Sequence, residues 1–203
     1  MIYMILGVLA FGLFFLYDIN SVLWQDKVLH KSFFAGCMIL AVSTVLFTIK
    51  FFSSERIHMI QWICLLLTII SFLLFIYTLF FALPFDKTYR EMEGPACVYT
   101  GGIYSLCRHP GVLWMFFFYV FLGGFLNSFT VILIGIVYSI LNIAYVVLQD
   151  CWTFPKTLAG YDEYKNTTPF LIPTKDSIKK CWNTIYSGKG RDDEVRRKVK
   201  RKG

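Results

Sequence analysis

The chain has 203 residues, of which 57% are hydrophobic, 19% aromatic and only 16% charged. A water-soluble domain carries about 25% charged residues, so this composition excludes an ordinary soluble enzyme or binding module and indicates an integral membrane protein. The formal net charge of +7 is unevenly placed, with eight Lys/Arg against three acids in residues 188–203. On a polytopic chain such a tail reads as a disordered cytoplasmic end near anionic lipid rather than a nucleic-acid-binding arm.

Residues 2–17 form a continuous apolar run of 16, slightly short for a span of about 20. No basic start and no small-residue cleavage site mark it as a signal peptide, so it is read as a retained span. Residues 18–32 form a polar connection. Residues 33–52 are a second span, 53–58 a short loop, and 59–83 a third span long enough to tilt. Residues 84–110 are a polar island with its approach. Residues 111–126 are a fourth apolar run, Asn127-Ser128 a minimal turn, and 129–148 a fifth span. Beyond Leu148 aromatic and charged residues mix, which predicts one or two short helices lying on the membrane surface. The expected fold is therefore all-α and polytopic, with about five transmembrane helices. It forms one domain over residues 1–187, followed by the basic tail.

Six cysteines occur, at 37, 64, 97, 107, 151 and 181, with no C-x-x-C spacing. That pattern predicts neither a disulfide framework nor a structural zinc site, and no metal is expected. If five helices cross, alternating faces place 18 of the 20 Lys/Arg on one side and only Lys50 and Arg56 on the other. The positive-inside bias then puts the island and the C-terminus in the cytoplasm. The expected location is a bacterial inner membrane, or the endoplasmic reticulum in a eukaryote.

Chemistry concentrates in the island, Tyr-Thr-Gly-Gly-Ile-Tyr-Ser-Leu-Cys-Arg-His-Pro from Tyr99 to Pro110. Pro110 suits the first position of a helix. Arg108 and His109 therefore precede a helix N-terminus, where free N–H groups favour an anion. The two-residue turn at Asn127-Ser128 makes the flanking runs a helical hairpin, which predicts Arg108-His109 on the same face as Gln149-Asp150. Arg108 can hold a carboxylate in a forked pair, and His109 can donate or accept near neutral pH. Gly101 and Gly102 permit close backbone approach, and Tyr104 adds a ring and a hydroxyl. Together these groups suit a small amphoteric molecule with an aromatic part and a carboxylate. The plainer readings are a helix start meeting lipid phosphate for Arg-His, a turn for Gly-Gly, interfacial anchors for Tyr161 and Tyr164, and helix packing for Gly123-Gly124.

Gly102-x-Tyr104-x-x-x-Arg108-His109-Pro110, a hairpin, then Tyr161-x-x-Tyr164-Lys165 and Thr168-Pro169-x-x-Ile172-Pro173 resembles the membrane methyltransferases. That family includes isoprenylcysteine carboxyl methyltransferase and the phospholipid N-methyltransferases. The resemblance covers about residues 96–173. It implies S-adenosyl-L-methionine as cofactor on the cytoplasmic side and a lipophilic substrate entering from the bilayer, with no nucleic acid and no obligatory protein partner. It assigns Ala96, Cys97, Val98, Tyr99, Gly102, Tyr104, Arg108, His109, Pro110, Gln149 and Asp150 to cofactor binding, with Arg108 and His109 as the catalytic pair. Three positions depart from the family pattern. Val112 stands where a Tyr is usual, and Gln149-Asp150 replaces a Glu pair. Tyr145 stands where the prenylcysteine enzymes place an arginine for the substrate carboxylate. Tyr145 then faces a different acceptor, an amine, thiol or hydroxyl on another lipophilic molecule. An NADPH-dependent enzyme like the sterol reductases, which share an Arg-His-Pro ending, and a non-catalytic membrane scaffold remain the alternatives.

Overall fold

The computed structural model describes residues 2–53, 58–82 and 97–187. The basic tail and the island's approach, including Ala96, Glu91 and Glu93, lie outside the described residues. Helices α1 (Ile2–Leu23), α2 (Ser32–Phe51), α3 (Met59–Ile76), α4 (Pro110–Phe125) and α5 (Phe129–Leu148) supply the apolar mass. Three short helices follow, α6 (Phe154–Thr157), α7 (Tyr161–Thr167) and α8 (Lys175–Ser187). Among the described residues there is no strand beyond one isolated bridge between Cys97 and Ala159.

Four segments are long and apolar enough to cross a membrane, running over Ile2–Leu23, Leu29–Phe51, Met59–Phe81 and Phe129–Thr157. The protein is an integral membrane protein of the polytopic all-α class. The fourth apolar run is the exception. At 16 residues, α4 rises about 24 Å, less than the roughly 30 Å hydrocarbon core. Two other boundaries shift. The first span continues through the expected connection to Leu23, and the regular part of the third ends at Ile76, followed by a π-helical turn over Tyr77–Phe81.

The chain divides into two compact units, one of Met1–Leu73 with Trp114–Thr153, the other of Leu74–Leu113 with Phe154–Gly203. In the first unit, small residues set the helix spacing. Gly36 of α2 lies against Phe14 and the Ala10 carbonyl of α1. Gly135 of α5 lies against Tyr119 of α4, and Gly124 of α4 against Cys64 of α3. Close backbone approach is how helices associate where lipid offers no hydrophobic gain. Several polar side chains pair with one another or with backbone inside the bundle. The Tyr138 hydroxyl donates to the Tyr3 carbonyl at 2.6 Å and lies 2.8 Å from Ser43 Oγ, while the Tyr119 hydroxyl pairs with Thr44 at 2.9 Å. Outward faces carry residues such as Ile5, Leu66, Leu73 and Ile140, as a lipid-facing surface requires.

The α4–α5 turn explains its own sequence. Asn127 takes a left-handed φ of 46°, a conformation asparagine tolerates better than most residues. Ser128 N–H then closes onto the Gly123 carbonyl at 3.0 Å. A Cβ at Gly123 would run into the Ile132 side chain. Gly123→Val is expected to cost about 1–3 kcal/mol through overpacking, read as a lowered unfolding temperature in detergent, whereas Gly12→Ala, in open space, does not lower it.

Candidate functional site

The residues singled out from the sequence fall into two patches, one in each unit. Arg108 and His109 belong to the second unit, Gln149 and Asp150 to the first.

In the second unit the island folds back on itself. Gly102 adopts φ +56°, left-handed backbone that a side chain would strain. Its bare face is open, since a Cβ would meet only the Tyr99 hydroxyl at 3.8 Å. A 3₁₀ turn over Gly102–Ser105 follows. Tyr99 and Tyr104 meet edge to face at 6.3 Å. The Tyr104 hydroxyl donates to the Thr78 carbonyl at 2.9 Å, and burial pushes its ionisation well above the ordinary phenol range. Cys97 is half-buried, and Val98 N–H donates to the Ala159 carbonyl at 3.1 Å.

The C-terminal stretch holds this fold from the other side. Arg108 N–H donates to the Pro169 carbonyl at 2.9 Å and His109 N–H to the Phe170 carbonyl at 3.3 Å. Arg108 Nη1 donates to the carbonyls of Lys165 at 2.7 Å and Thr168 at 3.0 Å. These are carbonyls at the end of α7, where a helix leaves acceptors unsatisfied and favours a cation. The guanidinium also lies over the Phe170 ring, 5.5 Å from its centre. Tyr164 donates its hydroxyl to the Tyr104 carbonyl at 2.6 Å. The His109 imidazole is 7% exposed, stacked on Phe154 at 6.0 Å and edge-on to Phe170 at 5.1 Å. Pro110 is fully buried and opens α4 as expected.

Tyr161 and Tyr164 are therefore not the interfacial anchors their spacing suggests. Both are buried, because one ring packs against Phe154 and the other clamps the island. The guanidinium of Arg108 bonds backbone carbonyls, which makes it a tie between two chain segments.

The first unit carries the second patch. Gln149 and Asp150 open a π-helical turn over Gln149–Thr153, a geometry frequent at functional sites. Asp150 is buried. Gln149 Nε2 donates to the Tyr145 hydroxyl at 2.9 Å, and both side chains hydrogen-bond Asp18 of α1. Tyr145 packs between Phe14 and Phe15 at 5.6 Å each. Asp18 belongs to the stretch read from sequence as a polar connection, but these partners draw it into the bundle. Its signal was a lone carboxylate at the end of an apolar run, a functional-site pointer within a membrane helix. Asn20 is buried beside it in sequence, with its amide bonded to Asp26 and to His30 Nδ1 at 2.9 Å.

No protein-family model matches this chain, and no curated protein or solved structure matches it significantly. Among the described residues no group of three or more His, Cys, Asp or Glu could hold a metal ion.

Two measurements test the second-unit geometry. Arg108→Ala removes two charge-assisted hydrogen bonds, each worth about 1.5–3 kcal/mol, and is expected to lower thermal stability clearly, with Arg108→Lys intermediate. Burial also pushes the Cys107 thiol from 9.0 up to about 12. Between those values the unfolded chain releases a proton the folded chain keeps, so stability falls as pH rises through that window. Cys107→Ala is expected to flatten the first part of the decline, just above pH 9.0, in a denaturation series against pH.

Proposed function

We propose that the protein transfers methyl groups from S-adenosyl-L-methionine to a lipophilic acceptor at the cytoplasmic membrane face. The observation that carries the reading is the pairing of two segments far apart in sequence. The resemblance links the stretch ending Arg108-His109-Pro110 with the stretch from Tyr161 to Pro173. These two stretches join through Arg108 to Pro169, His109 to Phe170 and Tyr164 to Tyr104.

The donor set fits such a cofactor in part. Gly102 offers bare backbone beside the rings of Tyr99 and Tyr104, which suits a planar base. Arg108 fits a cofactor carboxylate poorly, because its Nη1 already serves two carbonyls. In this reading it is a positioning residue that fixes the 165–170 stretch against the island.

Bound S-adenosyl-L-methionine supplies a methyl group on a sulfonium, which an in-line displacement moves to a lone pair of the acceptor. The chain's work is then to orient and to exclude water. Tyr104, held at its hydroxyl and its carbonyl, fixes one wall. His109, between Phe154 and Phe170, keeps another wall dry and carries a ring nitrogen able to take the acceptor's proton. The resemblance gives Tyr145, bonded to Gln149, the sequence position at which a prenylcysteine enzyme carries an arginine for the substrate carboxylate. That favours an uncharged or amine-bearing acceptor over a carboxylate.

Calorimetry on the full chain in lipid nanodiscs tests this. S-adenosylhomocysteine is expected to bind one per chain and NADPH not at all. Tyr99→Ala is expected to weaken binding by about tenfold, roughly 1.4 kcal/mol. Binding of NADPH alone would support the reductase reading, and binding of neither would contradict any cofactor enzyme.

A further inference from the structure

Beyond that activity, we infer that α8 lies on an anionic lipid surface through Ile178, Trp182, Ile185 and Tyr186, and that this contact steadies the turn carrying Tyr104. The four side chains follow i, i+4, i+7 and i+8 spacing, which places them on one stripe of the helix. They are 53%, 63%, 61% and 74% exposed, far more than large apolar groups on a solvated helix warrant. The opposite side is occupied. Ser177 is buried, and Thr184 Oγ1 lies 3.2 Å from Ser105 Oγ of the Gly102–Ser105 turn, against which α8 packs.

The occupant of the open stripe follows from charge and context. Lys175 and Lys179 are exposed, the first within the arc of the stripe and the second at its edge, where their stems can lie along lipid while their ammonium groups reach phosphate. Asp176 and Asn183 fall outside the stripe, beyond Lys179. A chain with four membrane-crossing segments brings its own bilayer, and a short helix with this pattern belongs in its headgroup region. One face of α8 thus contacts lipid, and the other supports Ser105, next to Tyr104.

The full chain in single-copy nanodiscs provides the test, with Trp182 fluorescence taken as the difference between wild type and Trp182→Phe. Brominated acyl chains are expected to quench this component, more strongly when phosphatidylglycerol is added to phosphatidylcholine. Lys175→Gln with Lys179→Gln is expected to abolish the added effect, which corresponds to about fivefold per lysine in partitioning. Thr184→Val is expected to leave quenching intact yet speed alkylation of buried Cys107 severalfold, read by mass spectrometry. Quenching by aqueous iodide but not by brominated lipid would overturn the proposal. So would protection of Trp182 in detergent only at concentrations where the chain dimerises, which would assign the stripe to a second copy. Quenching indifferent to phosphatidylglycerol would remove the anionic surface, and Cys107 labelling indifferent to Thr184→Val would remove the link to the turn.

Discussion

Arg108 ties the start of α4 to the end of α7, and the second unit is arranged around that tie. Its amide and guanidinium together serve carbonyls of Pro169, Lys165 and Thr168. Arg108 is half-buried, and a guanidinium withdrawn from water gains from acceptors that the chain supplies. Helix ends supply such acceptors, because their last carbonyls have no partner in the helix. Once the tie is made, Phe170 falls beneath the guanidinium and beside His109, and Tyr164 reaches the Tyr104 carbonyl. The island's irregular backbone is satisfied in this way by another irregular stretch of the same unit.

The first unit answers the same constraint differently. Its polar groups lie within or beside apolar helices, where an unpaired group would be expensive. Tyr138, Tyr119 and Tyr145 each place a hydroxyl on a partner from another helix or turn. Glycines at 36, 124 and 135 admit the backbones closely enough for those bonds to form. Tyr145 and Gln149 present hydrogen bonds to Asp18 in the same way, although its Oδ2 is buried without a partner.

What the sequence made legible was whatever depends on local pattern. The fifth span, its turn at Asn127-Ser128 and the helix start at Pro110 all appear where apolar length, a left-handed asparagine and a proline place them. The island's turn was legible too, as a polar stretch with glycines between apolar runs. What stayed hidden depends on partners distant in sequence. Tyr161 and Tyr164 read as interfacial because nothing nearby announces Phe154 or the Tyr104 carbonyl. The carbonyls that Arg108 bonds leave no mark in a sequence. Asp18 read as loop because its partners come some 130 residues later.

Amide hydrogen exchange of the intact chain in nanodiscs tests the central tie most directly. The Arg108 and His109 amides precede α4 and donate to the carbonyls of Pro169 and Phe170. The account predicts protection comparable to amides inside α4. Exchange of both amides at the rate of an open loop would contradict it.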